Sequence, residues 1–249
     1  VWERLRKRVP PGVAIVSVAK GIENGTLLRP SQIISDVMSP GVVCPWSLAT
    51  MSGPNIAGEI ARYLPATAVA ASTDEALACR VQAAFSTQWF RVYTNSDVIG
   101  VELAGATKNV IAIAAGILDG LAAGNNAKAA LVTRGLVEIT RLAMAMGANE
   151  TTLHGLAGLG DLITTCVSPE GRNRTVGEQI GKGKKLADIL GAMESVAEGV
   201  PTTRSVMELA IRYKVEMPIT RAVHEVLFDG KDAITALTDL MTRGPKPER

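Results

Sequence analysis

Lys108 is an isolated charge in an apolar stretch, since it is the only charged residue between Glu102 and Asp119. A lysine on a half-apolar helix usually extends its ammonium to the helix edge. Here the small residues 104–106 and the polar Asn109 favour the floor of a cleft instead. Burial in a cleft disfavours the charged ammonium, so Lys108 could exchange a proton near neutral pH.

A second group of chemically interesting residues follows fifty positions later. Asp161 is surrounded by glycines and apolar residues, so its carboxylate needs a cationic or hydrogen-bonding partner, and Lys108 is the obvious candidate. Arg172 and Asn173 precede a helix that we predict to begin near Thr175. A guanidinium beside the free N–H groups of a helix start suits a phosphate, although a simple helix cap with surface arginines fits this local sequence equally well.

Two loops follow predicted strands, where open parallel sheets bind their ligands. Lys20 comes just after the first strand, and Gly53-Pro54 comes just after the second. Both signals are weak, because a lysine at a strand end is usually a surface residue and Gly-Pro is common in plain strand-to-helix turns.

Other chemistries lack their sequence signals. His154 and His224 are 70 residues apart, with no cysteine or carboxylate at ligand spacing, so we expect no metal. The sequence contains no Gly-x-Ser-x-Gly elbow, no Walker loop and no Gly-x-Gly-x-x-Gly turn. The three cysteines, Cys44, Cys79 and Cys166, are far apart and odd in number, which favours a reducing cytoplasm over a disulfide framework.

Composition limits the class of protein. The 249 residues are 47% hydrophobic and carry 26 basic against 24 acidic side chains, a net charge of +2. This excludes a disordered, collagenous or coiled-coil chain and does not resemble a nucleic-acid binder. The longest apolar run, 103–118, is shorter than the ~20 residues needed to cross a bilayer. We therefore expect a soluble protein whose partners are small molecules or copies of itself.

The pattern of apolar residues divides the chain near residue 97. Residues 1–97 alternate short, continuously apolar strands, predicted as buried on both faces, with helices, which indicates a mostly parallel α/β sheet. The predicted strands are 13–18, 46–51, 67–71 and 90–93, and the helices between them are 29–38 and 74–88. Residues 98–249 show only helical spacing, with predicted helices at 99–121, 127–146, 151–156, 176–182, 186–193, 200–213, 218–228 and 233–241.

Taken together, these segments resemble the soluble NAD(P)-dependent glycerol-3-phosphate dehydrogenases along essentially the whole chain. Eight collinear motifs carry the resemblance: Ala19-Lys-Gly21, Ser52-Gly-Pro54, Gly100-Val-Glu102 with Lys108-Asn-Val110, Asn126-Ala-Lys-Ala-Ala-Leu131 with Thr133-Arg-Gly135, Gly158-Leu-Gly-Asp-Leu162, Gly171-Arg-Asn-Arg174, Val196-Ala-Glu-Gly199 and Glu216-Met-Pro-Ile219. The resemblance implies an incomplete Rossmann-type sheet followed by an all-helical domain similar to that of 6-phosphogluconate dehydrogenase. It also implies a homodimer.

The implied reaction is reversible hydride transfer between NAD or NADP and dihydroxyacetone phosphate, giving sn-glycerol 3-phosphate for phospholipid synthesis. Lys108 would be the general acid and base and Asp161 would orient it. The implied substrate residues are Lys20, Gly53, Asn55, Lys108, Asn109, Asp161, Thr165, Gly171, Arg172 and Asn173. The implied cofactor contacts are Lys20, Ala57, Arg172, Val196 and Glu198, and Asn55 stands where the family often has Ser or Thr.

The family's first strand, its Gly-x-Gly-x-x-Gly turn and the following helix have no counterpart here, and we expect the chain, which opens on Val1, to be part of a longer polypeptide. An alternative is a non-catalytic phosphate-ester-binding or subunit-interaction protein that lacks the cofactor half. A related hydroxyacid or 6-phosphogluconate dehydrogenase is a third hypothesis, which the segments 158–162 and 172–174 disfavour.

Overall fold

A computed structural model describes residues 1–10, 12–39, 47–193, 195–245 and 247–248. Cys44 and the first residue of the second predicted strand, Trp46, lie outside these residues. All strands lie within residues 15–95, and helices alone occupy the described chain from 98 onward.

Within the described residues, four strands form one sheet in chain order: β1 (Ile15–Ser17), β2 (Leu48–Ser52), β3 (Ala66–Ala71) and β4 (Phe90–Asn95). The pairs β1–β2 and β3–β4 are parallel, whereas β2–β3 is antiparallel, with Thr50 opposite Ala71. The mostly parallel sheet is thus mixed, because the link 53–65 holds only the short helix α3 (Ala57–Ala61) and cannot lay a crossover helix on the sheet.

Burial along the strands differs from the prediction of strands covered on both faces. Residues 68–71 of β3 are buried, as a central strand requires. In β4, Val92 is buried while Arg91 and Tyr93 are exposed, and the Arg91 guanidinium lies 5.0 Å from the Tyr93 ring centre. The expectation is wrong for β4, because the face that carries Arg91 and Tyr93 is exposed and only the face that carries Val92 is covered.

The helices before residue 98 are α1 (Trp2–Leu5), α2 (Pro30–Met38), α3 and α4 (Glu75–Phe85). Those after it are α5 (Val98–Gly120), α6 (Gly124–Ala145), α7 (Glu150–Leu153), α8 (Asp161–Val167), α9 (Arg172–Gly181), α10 (Leu186–Gly191), α11 (Gly199–Arg212), α12 (Pro218–Phe228) and α13 (Ala233–Met241), with a π-helical turn at Leu156–Gly160. The π turn and α8 were not predicted. The helix expected from Thr175 begins at Arg172, so Arg172 and Asn173 lie in its first turn.

Helix α5 is the core of the helical region. Its start is fixed by Asp97, whose carboxylate accepts hydrogen bonds from the N–H groups of Gly100 and Asn149, each at 2.8 Å. The helix is long and apolar enough to cross a membrane, but 89% of its most apolar window is buried inside the molecule. Other helices therefore surround α5 as a core element.

Two glycine pairs bring α5 and α9 into backbone contact. A Cβ on Gly116 would lie 1.9 Å from the Arg174 carbonyl oxygen, and one on Gly177 would lie 2.0 Å from the Ile113 carbonyl oxygen. Gly120 and Gly181 meet in the same way one turn further on. The sequence placed a close backbone approach at residues 104–106 instead; there Gly105 faces the side chains of Ser52 and Lys20.

Candidate active site

The candidate site is built around the Lys108 side chain, which is 7% exposed near the middle of α5. Its Nζ lies 2.7 Å from Oδ1 of Asp161 and donates a hydrogen bond of 2.5 Å to Oγ1 of Thr165. The hydroxyl of Thr165 is 2.7 Å from the Asp161 carbonyl oxygen one helical turn back. The structure therefore forms the expected Lys108–Asp161 ion pair and adds Thr165 to it.

Lys20 completes a three-residue charge cluster. Its Nζ lies 2.6 Å from Oδ2 of Asp161, so one carboxylate lies between two ammonium groups. Lys20 Nζ also lies 3.4 Å from the Gly53 carbonyl oxygen, and Oγ of Ser52 lies 3.5 Å from the same Asp161 oxygen. Because β1 and β2 are parallel, the loops after them meet at one edge of the sheet and turn toward α8.

Burial and charge both act on Lys108. The pKa of its ammonium is lowered to about 8, chiefly by burial and also by the positive charge of Lys20, against the raising effect of Asp161. The pKa of the neighbouring Cys166 thiol is raised to about 12, chiefly by burial. Lys108 can therefore hold or release a proton near neutral pH, while Cys166 stays a neutral thiol.

A tight backbone turn carries Asp161 into the core. The π-helical turn Leu156–Gly160 precedes it, and a Cβ on Gly158 would lie 2.0 Å from the Leu153 carbonyl oxygen. Only glycine fits at this approach, which delivers the 2%-exposed Asp161 to the first turn of α8. The glycines around Asp161 thus have a structural cause.

The loop after β2 is fixed by two contacts with β3. Gly53 has φ +157°, and a Cβ there would lie 2.8 Å from the Thr67 carbonyl oxygen. The amide Nδ2 of Asn55 donates to the same carbonyl at 2.8 Å. Gly53 therefore lies beside Lys20. The side-chain amide of Asn55, in contrast, holds the loop on β3.

Near the start of α9, Asn173 forms a bridge between helices. Its Oδ1 accepts a hydrogen bond of 2.8 Å from the Gly199 N–H at the start of α11, and a Cβ on Gly199 would lie 2.7 Å from the carbonyl oxygen of the buried Asn109. Arg172 is exposed, and its guanidinium has no hydrogen-bond or ion-pair partner within the described residues. This end of the site thus offers an available cation beside Gly171, the cap of α9.

Two family models match the chain, and both describe NAD-dependent glycerol-3-phosphate dehydrogenase. The model of the family's N-terminus matches residues 1–78, and the model of its C-terminus matches residues 97–238. The chain belongs to this dehydrogenase family. The C-terminal match begins at residue 97.

Curated relatives support the family membership along the full chain. The glycerol-3-phosphate dehydrogenase [NAD(P)+] of Geobacter metallireducens is 51% identical over 249 residues, which are all of this chain and 74% of the relative. The Prosthecochloris aestuarii protein of the same name is 53% identical over 95% of this chain and 71% of its own length. The crystal structure of the Coxiella burnetii glycerol-3-phosphate dehydrogenase superposes with a TM-score of 0.91 at 37% identity, covering 97% of this chain and 73% of that one.

The residues predicted as cofactor contacts suit one part of an NAD(P) molecule. Lys20 and Ala57 follow parallel strands, and Ala57 is exposed at the start of α3. Val196 is 68% exposed just before Glu198, the residue that caps α11. Together with Arg172, these residues offer two cations and exposed apolar surface, a chemistry that suits part of a dinucleotide.

Ser52 is a residue of the site that the sequence did not single out. Ser52 lies within 3.5 Å of Asp161, and its position at the carboxyl end of β2 was the available signal.

Proposed function

We propose that the chain carries out the dehydrogenase reaction on dihydroxyacetone phosphate, reducing it reversibly to sn-glycerol 3-phosphate with NADH or NADPH. The observation that carries this proposal is the buried carboxylate of Asp161 between the ammonium groups of Lys20 and Lys108. The names of the relatives supply the substrate and cofactor, and the site supplies a proton donor of suitable pKa.

Lys108 is the general acid and base. With a pKa lowered to about 8, its ammonium donates a proton to the C2 oxygen as the carbonyl becomes an alcohol. In the opposite direction the neutral amine removes the proton from the C2 hydroxyl. The bound nicotinamide supplies or accepts the hydride at C2.

Asp161 orients the catalytic lysine, and Lys20 supplies a second charge. The carboxylate contacts both ammonium groups, and Thr165 receives one hydrogen bond from Lys108, which restricts the direction of the remaining N–H groups. The charge of Lys20 beside the C2 oxygen also stabilises negative charge that develops there during reduction.

The phosphate end binds at the start of α9. The exposed guanidinium of Arg172 and the N–H groups of the first turn after Gly171 are suited to a phosphate. The side-chain oxygen of Asn173 accepts a hydrogen bond from the Gly199 N–H, which leaves the NH₂ group of Asn173 available as a donor. Gly53, Asn55 and Asn109 border the substrate, with Asn55 acting through the loop it fixes.

The two parts of the chain divide the work. Residues 1–97 contribute Lys20, the Ser52–Asn55 loop and Ala57, while residues 98–249 contribute Lys108, Asp161 and the phosphate end. Val196 and Glu198, with Lys20, Ala57 and Arg172, hold the cofactor. A cytoplasmic homodimer that supplies glycerophospholipid synthesis is part of the same proposal, and the free thiols of Cys79 and Cys166 are consistent with a reducing compartment.

The test is NADH oxidation with dihydroxyacetone phosphate, measured on the chain alone and on the chain together with its in-frame flanking sequence. We expect turnover that Lys108→Ala abolishes. Glu178→Gln is the matched control, because Glu178 lies in a surface ion-pair network on α9. Binding of glycerol 3-phosphate without turnover in every version would favour the non-catalytic alternative.

A further inference from the structure

The segment 20–29, which we call the anchor segment, leads from Lys20 to Arg29 at the cap of α2. Although it follows the first strand of the sheet, it packs on the helical region. Ile22 and Leu27 are buried among apolar residues of that region. The anchor segment therefore determines where Lys20 lies relative to Asp161 and Lys108.

The far end of the anchor segment is held by Glu102. The guanidinium Nη1 of Arg29 lies 2.5 Å from Oε2 of Glu102, whose side chain is 0% exposed. Ser31 donates to the same carboxylate twice, from its N–H at 2.8 Å and from its hydroxyl at 2.7 Å. One carboxylate on α5 thus fixes both the end of the anchor segment and the start of α2.

The middle of the anchor segment is held by Ser205 of α11. Its buried hydroxyl lies 3.1 Å from the Ile22 carbonyl oxygen and also contacts the Asn24 side chain. Within the segment, the Glu23 N–H donates to the Leu28 carbonyl at 3.0 Å and closes a loop. Because the loop is closed and attached at two points, side chains of α5 and α11 hold the path of the chain between Arg29 and Lys20.

We propose that Glu102 is a positioning residue for the active site, which acts by fixing the anchor segment so that Lys20 remains in contact with Asp161. The inference rests on the proposed function, since it assigns to a buried ion pair the placement of a lysine in that site. Glu102 precedes Lys108 by six residues on α5, so the two side chains lie about 9 Å apart along the helix axis. One end of the anchor segment, Arg29, thus contacts α5 directly through Glu102, and the other end, Lys20, is linked to α5 through Asp161 and Lys108.

This role has a signature that a purely structural role lacks. The charged groups around Lys108 are Lys20 and Asp161, since the neighbouring Cys166 is a neutral thiol, and Lys20 lowers the pKa of Lys108. If loss of the Glu102 carboxylate releases Lys20, the pKa of Lys108 rises. Removal of a negative charge acting directly through space lowers the pKa of a lysine, so the two effects have opposite signs.

The experiment is an NMR titration of lysines labelled at Cε, which needs no turnover. The full chain is compared with Glu102→Gln, Lys20→Met and the double variant, and Lys108→Arg assigns the resonance. We expect the Lys108 titration to move upward from about 8 in Glu102→Gln and in Lys20→Met. In the Lys20→Met background, Glu102→Gln should add no further upward shift, because the lysine through which it acts is gone.

Glu178→Gln is the control for removal of one carboxylate, and it should leave the Lys108 titration unchanged because Glu178 pairs with Arg174 and Lys182. If Glu102→Gln does not fold, Ser205→Ala removes the other attachment without changing charge and should also move the titration upward. An unchanged or lowered Lys108 titration in the folded variants would overturn the proposal.

Activity provides the second readout. Glu102→Gln should lower kcat/KM for dihydroxyacetone phosphate roughly tenfold or more, since small displacements of positioned groups are costly. A wild-type protein that is inactive both alone and with its in-frame flanking sequence would refute the proposed function and leave the titration result standing by itself. An upward titration shift in an inactive protein therefore separates the two proposals.

Discussion

Replacing Gly177 with alanine should separate α9 from α5. The new Cβ would lie 2.0 Å from the Ile113 carbonyl oxygen and 2.9 Å from the Ile117 nitrogen, against an ordinary separation of about 3.5 Å. Both neighbours are backbone atoms of a buried helix, so the two helices must move apart by more than about 1 Å. Overpacking of this kind costs about 3 kcal/mol at its upper end, and the better helix propensity of alanine offsets about 1 kcal/mol, leaving a net loss of about 2 kcal/mol.

The assay is the free energy of unfolding from guanidinium titration, with Gly191→Ala as the matched control. Gly191 is also helical, but a Cβ there has no neighbour within 4 Å, so that variant should be unchanged or up to about 1 kcal/mol more stable. Because α9 carries Arg172 and Asn173, Gly177→Ala should also raise KM for the phosphorylated substrate. Equal stability of the two variants would refute the argument that backbone contact sets the helix distance.

Three further predictions follow from buried ionisable groups. Burial raises the pKa of Glu138 from 4.5 to about 7, so the stability associated with this group is present below pH 4.5 and is lost as pH rises to 7. The free energy of unfolding of the wild-type protein should therefore decline between pH 5 and 8. In Glu138→Gln this decline should be smaller by about 3 kcal/mol, and a decline equal to that of the wild-type protein would refute this assignment. Asp161→Asn leaves Lys108 and Lys20 without their shared counter-charge, so kcat should fall at least about a hundredfold in the NADH assay; near-normal kcat would contradict its role. Cys166 is buried with a pKa raised to about 12, whereas Cys79 is exposed, so mass spectrometry after alkylation of the native protein should find Cys79 modified and Cys166 spared.

The burial of Lys108 could be predicted because it is the single charge in a long apolar stretch. Its isolation between Glu102 and Asp119 indicated burial, and the 7% exposure of the Lys108 side chain agrees. The requirement that a buried carboxylate have a partner likewise predicted the pairing with Asp161. These inferences succeeded because the cost of burying a charge does not depend on details of the fold.

Features that depend on the path of the backbone were harder to predict. The glycines before Asp161 weaken a helical pattern locally, yet Gly158 is required by close contact with Leu153, so the π turn and α8 were missed. The antiparallel pairing of β2 with β3 follows from the short link between them. The pattern of apolar residues does not reveal it. Lys20 was ambiguous for the same reason, because only its loop's attachment to the helical region distinguishes it from a surface lysine.

The most direct test of the central claim is the dependence of kcat/KM on pH in both directions, for the wild-type enzyme and Lys108→Arg. Because the pKa of Lys108 is about 8, reduction of dihydroxyacetone phosphate should decline as pH rises through 8, while oxidation of glycerol 3-phosphate should increase over the same interval. Lys108→Arg should lose most activity, since a guanidinium does not release its proton in this range. Opposite pH dependences with a common midpoint near 8 would support Lys108 as the acid and base. An active Lys108→Arg variant that retains the same midpoint would contradict it.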